Sequence, residues 1–511
     1  MQEISEKSKL RLSHSTALHY LIVLLAAGAL YVLTCAPTIL WQDSALFVYR
    51  IWHNDIQGNL GIALAHPLYI MIGILFKFVP IGQLAWRINL ISALFGALAV
   101  ANLFLLLKLW LGKTLPAVIG AVTLAVSWTF WQHAVIAEAY SLYAAQLFAE
   151  LILLLQYVRT KRVKYLYLLG LFNGLAVANH LWAVFGFICY VIFIAFLLAK
   201  KRVHFKQLAV IVLLWLIGAA PYEYLVVREI VVTGDVPATL ASALFGNGWQ
   251  GSVLNASITG KIAFENIIFI ILNFPTPNFL LLFVGLWALY KTAPSRSYAN
   301  ILVAMLVLHF VFAFRYTVPD RHAFFLPFYC LAAILVGLGA DVLFRRINHN
   351  ALVFAVLVFA LMPAPLYAIT PEVGRKMYKP LSQRRKLPYR DDYRYFLQPW
   401  KVGERSAEKF AHQAMDSVDE NAIIYADTTT AHALLYAQEV EDLRHDVKIV
   451  SKHDSSKNAP VFNEDTIEDL MQNFPVYVVS PLKRYCPAFL LNNYNFSEAS
   501  VLWRVVAKPN L

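Results

Sequence analysis

Charge is what this chain most conspicuously lacks. Only 14% of its 511 residues are Asp, Glu, Lys or Arg, whereas 59% are hydrophobic and the mean hydropathy is +0.58. A soluble domain carries about 25% charged and about 45–50% apolar residues. The deficit excludes an ordinary water-soluble enzyme. Cysteine is scarcer still: Cys35, Cys189 and Cys330 lie in or beside apolar runs and Cys486 stands alone in the tail. Neither a disulfide framework nor a zinc-type spacing can be built from that set. The polar tail holds no GxGxxG and no P-loop, so the usual nucleotide signatures are absent there. An open sheet cannot live in lipid, where unpaired backbone groups find no partner. Several stretches approach the roughly 20 apolar residues that a bilayer-crossing helix needs. These exclusions leave a polytopic, all-α membrane protein.

The net charge of +12 (pI ≈ 9.3) does not indicate nucleic acid. The basic residues fall in short clusters between apolar runs, the pattern of cytoplasmic loops. Lys7, Lys9 and Arg11 keep the N-terminus in the cytoplasm, and the run 17–36 reads as an uncleaved first helix. The segment 66–80 (HPLYIMIGILFKFVP) is apolar but short, bracketed by Pro67 and Pro80 and interrupted by Lys77. Treated as interfacial or re-entrant, it lets nearly every later basic cluster land inside. The spans are then 17–36, 89–107, 115–131, 140–158, 165–179, 183–198, 208–222, 279–290, 301–314, 323–343 and 351–369, about eleven in all. The membrane unit covers 1–370, with its first outer loop at 37–86.

Residues 371–511 have ordinary soluble composition and form a second, outer unit. Its pattern predicts helices over 405–418, 431–440 and 466–473 and strands over 422–426, 447–450 and 476–479. That alternation indicates a small α/β domain. The basic run 375–394 sits awkwardly on the outer side; it reads as an anchor on anionic lipid head groups or as a rim for a phosphorylated lipid.

On this topology three polar groups share the outer side. They are Asp43 with His53 and His66, then His133 with Glu138, then Arg315, Asp320, Arg321 and His322. Two carboxylates with arginines and histidines are the set that sugar transfer from a lipid phosphate requires. One carboxylate deprotonates an acceptor hydroxyl, and the cations hold the leaving phosphate. Each residue also has a plainer role open to it. Asp43 or Glu138 can cap the helix that follows. Arg315 and Arg321 can snorkel or pair with Asp320, and His180 can be a satisfied residue at a helix end. Asp43, Glu138 and a histidine would suit a divalent metal, although no spacing demands one.

The order of motifs adds a family resemblance. WQDSALF, ALAHPLYIMIG, LAWRINLISAL, FWQHAVIAEAYSLYAA and GLAVANHLWA, followed by ENAIIYADTTTAHALLYAQEVEDLRHDVKIV in the tail, resemble a bacterial family of membrane proteins of unknown function. That family is related to the transmembrane-protein-260 type of protein O-mannosyltransferase. The match is densest over residues 37–183. It implies a GT-C glycosyltransferase fold, a polyprenyl-phosphate-linked sugar as donor, and a protein, glycan or lipid acceptor. It places the catalytic aspartate at Asp43, the acidic residue of the second outer loop at Glu138 and the loop histidine at His66. Arg315, Arg321 and His322 are expected at the donor phosphate, and His66, Arg87, His133 and His180 around the substrate. The setting would be a bacterial inner membrane. Two departures stand out. The family follows its aspartate with small-Gly-Glu-Phe, where this chain has Ser44, Ala45, Leu46 and Phe47. The run His-Pro-Pro-Gly-x-Pro-Leu is shortened to His66, Pro67 and Leu68. A transporter or flippase of a lipid-linked sugar is the competing class, disfavoured by the lack of an internal repeat.

Overall fold

The computed structural model describes residues 14–318, 320–347, 349–377, 381 and 385–508. Lys7, Lys9 and Arg11, and parts of the basic run (378–380 and 382–384), lie outside the described residues. The first long helix is α1 (His14–Thr34), followed in the first loop by α2 (Asp43–His53) and α3 (Pro67–Phe76). Then come α4 (Leu84–Leu111), α5 (Thr114–Ala125), α6 (Trp128–His133), α7 (Tyr140–Thr160), α8 (Lys164–Asn179), α9 (Ala183–Ala199) and α10 (Phe205–Thr233). Beyond a turn lie α11 (Val236–Phe245), α12 (Gln250–Val253), α13 (Gly260–Asn273), α14 (Leu280–Thr292), α15 (Arg296–Arg315), α16 (Leu326–Arg346), α17 (Asn350–Leu361) and α18 (Pro363–Met377).

Helix occupies every stretch expected to span. Among the described residues six helices are long and apolar enough to cross a membrane alone, or up to eight if two bent pairs each count once, fewer than the eleven spans expected because several of those stretches fold as shorter helices. The first bent pair turns by 106° between Asn273 and Pro277, where Pro275 and Pro277 interrupt the backbone ladder. The run 115–131 divides into α5 and α6 around Val126 and Ser127. The short segment of the first loop behaves as expected: α3 has 10 residues, which at ~1.5 Å each is half of a ~30 Å hydrocarbon core.

The helices arrange the loops into two poles. α4 packs on α1 and α7. At its C-terminal end Arg159 donates to the carbonyls of Leu109 and Trp110. Lys113 and Arg345 both pair with the buried Asp341 nearby. These basic loop ends gather at one pole, and the polar loops bearing Asp43, Glu138 and Asp320 meet at the other. Between α8 and α10 the backbones touch. A Cβ on Gly174 would stand 2.2 Å from the Trp215 carbonyl oxygen, and one on Gly218 2.4 Å from that of Leu171. Close packing through small residues is the main means of helix association in lipid. Gly174→Val should therefore lower the melting temperature in detergent, an overpacking loss of ~1–3 kcal/mol; unaltered melting would mean that α8 and α10 can part freely.

The C-terminal unit is a mixed five-stranded sheet of order β2-β1-β3-β5-β4. β1 (Ile423–Tyr425), β2 (Lys448–Val450) and β3 (Val476–Val478) are parallel, and β4 (Tyr494–Ala499) and β5 (Leu502–Ala507) add an antiparallel hairpin. The predicted strands and helices are present. The hairpin went unread because β4 is an edge strand of polar, partly exposed residues with little hydrophobic pattern. This unit does not stand apart. Its helices Ser406–Ser417 and Ala431–Glu439 share one apolar core with α2, α3 and the start of α4. Trp41 donates its indole N–H to Ser406 (2.8 Å), and Thr38 bonds Glu408 (3.0 Å).

Candidate active site

The site is built on α4. Asn89 and Ser92 lie one turn apart on its buried face. Asn89 donates to the carbonyls of Ala36 and Thr38 (both 3.1 Å) and accepts from the amide of Ala137 (2.7 Å), so one amide group pins the loop before α2 to the loop before α7. The Ser92 hydroxyl donates to the Glu138 carbonyl (3.0 Å), accepts from the Glu138 amide (3.1 Å) and meets the Tyr69 hydroxyl (3.0 Å).

Asp43 opens α2, immediately after Gln42, whose φ of 59° is unusual for a residue with a side chain. The Gln42 amide donates to the Thr429 carbonyl of the C-terminal unit (3.2 Å), which holds that turn in place. Asp43 is open to solvent yet closely surrounded by protein, as a group on the wall of a recess would be. Burial pushes its carboxyl up to about 7, reinforced by the charge of Asp320. Glu138 is buried; desolvation, then Asp43, then Asp320 hold it well above the usual carboxylate range, against a smaller opposing pull from the Ala139 amide. Asp320 is raised by burial as well. Three carboxylates from three separate loops thus share one field, and Tyr140 lies within electrostatic reach of all three.

A chain of rings lines the same pole. His66 stacks near Phe47 (5.6 Å) and His180 (4.8 Å); His180 meets Trp182 (3.9 Å) and Tyr140 (5.5 Å). Tyr140 meets His133 (5.0 Å), which faces His322 (5.9 Å), itself beside Trp128 (5.0 Å). His66 adopts the left-handed conformation (φ 48°) at the head of α3. Its Nδ1 lies 2.8 Å from the Asn179 carbonyl oxygen and must carry the proton there, while burial pulls its pKa down to about 4. The ring is therefore neutral, with a bare Nε2. His180 is the complement: its Nδ1 accepts from the Trp182 amide (3.1 Å), leaving Nε2–H as a donor.

The structure thus gathers Asp43, Glu138, His66, His133, His180 and His322. Arg87 is a correction. Its guanidinium donates to the carbonyls of Lys77 and Val79 and clamps the chain just past α3; the last carbonyls of a helix lack partners within it and take such a donor. Arg315 is committed to the carbonyls of Val253 and Asn255 (both 2.6 Å). Arg321 pairs with Glu265, bonds Asn266 (3.2 Å) and lies over Phe269, whose ring also meets His322. His53 bonds Glu439 (2.6 Å) at the far end of α2.

Sequence reading missed Asn89 and Ser92, although polar residues one turn apart in an apolar helix were a usable signal. It also missed Lys401, for which no signal existed. This buried amine, separated from His133 by about half of the chain, donates to the carbonyls of Tyr395 (2.8 Å) and Gln398 (2.7 Å); burial draws its pKa down to about 7, and its charge is felt at His133. Among the described residues no group of three His, Cys, Asp or Glu side chains is disposed to hold a metal ion.

Residues 61–204 match the family model of the protein O-mannosyl-transferase TMEM260 N-terminal domain, a window that contains His66, His133, Glu138 and His180 but not Asp43. The chain is 24% identical over 461 residues to protein O-mannosyl-transferase TMEM260 of Mus musculus, covering 84% of this chain and 62% of the mouse protein. The chain is related to the TMEM260 family. Relative to its mouse member, it spans a little under two thirds of the length. The TMEM260-like sequence folds as a GT-C glycosyltransferase does. It superimposes on ArnT from Cupriavidus metallidurans bound to undecaprenyl phosphate with a TM-score of 0.61 at 14% identity, over 96% of this chain and 98% of that one. The oligosaccharyltransferase of Archaeoglobus fulgidus, tethered to an acceptor peptide, gives 0.50 at 15% identity over 92% and 69%. The chain is a multi-pass membrane protein of this fold.

Proposed function

We propose that the chain is an integral-membrane glycosyltransferase that moves a sugar from a polyprenyl-phosphate carrier to a hydroxyl of an acceptor protein. The observation that carries this reading is that Asp43, Glu138 and Asp320, from three separate loops, lie within one another's electrostatic reach, with Asp43 near 7 and Glu138 raised well above the usual carboxylate range. Carboxyl groups whose pKa values are driven apart are suited to opposite proton tasks. Asp43 takes the proton of the acceptor hydroxyl as its oxygen attacks the anomeric carbon. The bond from that carbon to phosphate breaks, and the carrier phosphate leaves with the electron pair. Glu138, which holds its proton more tightly than an ordinary carboxyl does, donates a hydrogen bond to the sugar or acceptor. His66 and His180 offer an acceptor and a donor to sugar hydroxyls. Arg321 and His322, backed by Arg315, face the phosphate, with Arg321 shared between it and Glu265. Support comes from the name of the mouse relative and from the undecaprenyl phosphate and acceptor peptide of the two structural neighbours. The gathering of basic loop ends at the opposite pole supports an N-terminus in the cytoplasm, with the recess and the C-terminal unit on the outer face of a bacterial inner membrane.

The test is a pH profile. The base works only as carboxylate, so the raised pKa of Asp43 places its loss on the acid side. Transfer should fall ~10-fold per pH unit below about 7. A profile flat to pH 5 would remove Asp43 as the base.

A further inference from the structure

At the end of α2 remote from Asp43, a cleft of about 620 Å³ opens between that helix and the C-terminal unit. Its walls carry Tyr49, Trp52 and His53 from α2 and Glu439, Lys448 and Lys457 from the facing unit. Trp52 is 38% exposed, and Lys77 stands 6.0 Å from its ring. Glu439 is already engaged, by the Tyr49 hydroxyl and by His53 at 2.6 Å, and the two further carboxylates felt at Tyr49 are each paired, Asp454 with His432 (2.9 Å) and Asp55 with Arg50 (3.9 Å). His445, also in the wall, is paired with Asp442 (2.6 Å). Lys457 is exposed, and among the described residues Lys448 donates only to the His445 carbonyl, at 3.4 Å. The cleft therefore combines an accessible aromatic plate with cations whose charge is not cancelled.

The helix Ala431–Glu439 runs beside α2 along its whole length, tied to it by Gln42 and Thr429 at one end and by His53 and Glu439 at the other. From Asp43 to His53 the helix rises ~15 Å at ~1.5 Å per residue. An extended polypeptide covers that distance in about four or five residues at ~3.3 Å each. We infer that this cleft holds an acidic stretch of the acceptor polypeptide, four or five residues from the hydroxyl that is glycosylated. The inference rests on the transfer reading above and adds what the acceptor must carry.

The probes are fluorescein-labelled peptides with a single threonine and, about five positions away, a short run of Glu, Gln or Lys. Binding to the full chain in lipid nanodiscs is read by anisotropy. The Glu peptide should bind ~10-fold more tightly than the Gln peptide at low ionic strength, and the preference should vanish at high salt. The double variant Lys448→Glu, Lys457→Glu should abolish or invert it; both side chains are at the surface, so folding is not at stake. In transfer assays, moving the glutamates next to the threonine should raise KM and leave kcat. Equal binding of the three peptides overturns the proposal, as does a preference that survives the double variant. Displacement by an acidic oligosaccharide but by none of the peptides replaces the polypeptide with a glycan. Because binding is read without transfer, a chain that holds the Glu peptide and glycosylates none of them overturns the transfer reading and leaves the cleft's selectivity standing.

Discussion

Asp43→Asn should lower sugar transfer by ~10³-fold, within the range that a positioned general base supplies, while the donor lipid remains bound. The amide keeps the shape of the carboxylate and cannot take up a proton. It also removes one of three charges that disfavour each other's ionisation, because Asp43 and Asp320 both act to raise Glu138. Relieving that repulsion should leave the melting temperature unchanged or slightly higher. A large loss of rate without a loss of stability is the signature expected of a group serving chemistry at the expense of the fold. A transporter would behave differently, since there the substitution should alter lipid movement and no glycosylated product should exist to lose. Unchanged turnover in the Asn variant would exclude Asp43 from the mechanism.

The second large effect belongs to a residue that touches neither substrate nor carboxylate. Asn89→Leu should reduce kcat ~100-fold with little change in KM, because misplacing catalytic groups by about an ångström suffices for such a loss. The leucine fills the same space but leaves the carbonyls of Ala36 and Thr38 and the amide of Ala137 without their partner. Each such orphan costs ~1–3 kcal/mol. Thr38 leads into Asp43, and Ala137 adjoins Glu138, so the two loops would drift apart. If that variant does not fold, Ser92→Ala probes the same seam more gently, with an expected ~10-fold drop. Wild-type kinetics in both would show that the loops are held by other means.

Much of this architecture could be read from residue patterns alone. Spans announce themselves because lipid tolerates so few charges, and Lys77 with Pro67 and Pro80 was enough to mark α3 as non-spanning. The first three strands of the C-terminal sheet are short apolar runs between helices, which period and composition reveal. The β4–β5 hairpin offers no such pattern. For the site, Asp43, Glu138 and the histidines stood out as polar residues beside membrane helices, and sidedness alone brought them to one pole. Arg87 misled because a cation near an expected loop looks the same whether it binds a substrate or a helix end. Only the path of the chain shows that the Lys77 and Val79 carbonyls claim it. Lys401 was invisible for a related reason: a lysine in a basic, soluble-looking stretch gives no hint that it will be buried beside a loop far upstream.

The bonds from Thr38 to Glu408 and from Trp41 to Ser406 join residues 370 and 365 positions apart. A ribosome delivers the chain from one end, so the loop bearing Asp43 is made long before the segment that covers it. Every later span must be inserted while that loop waits, its apolar side bare. The shared core of α2 and the C-terminal helices closes only once that later part of the chain is made, which leaves a half-finished molecule in need of shelter.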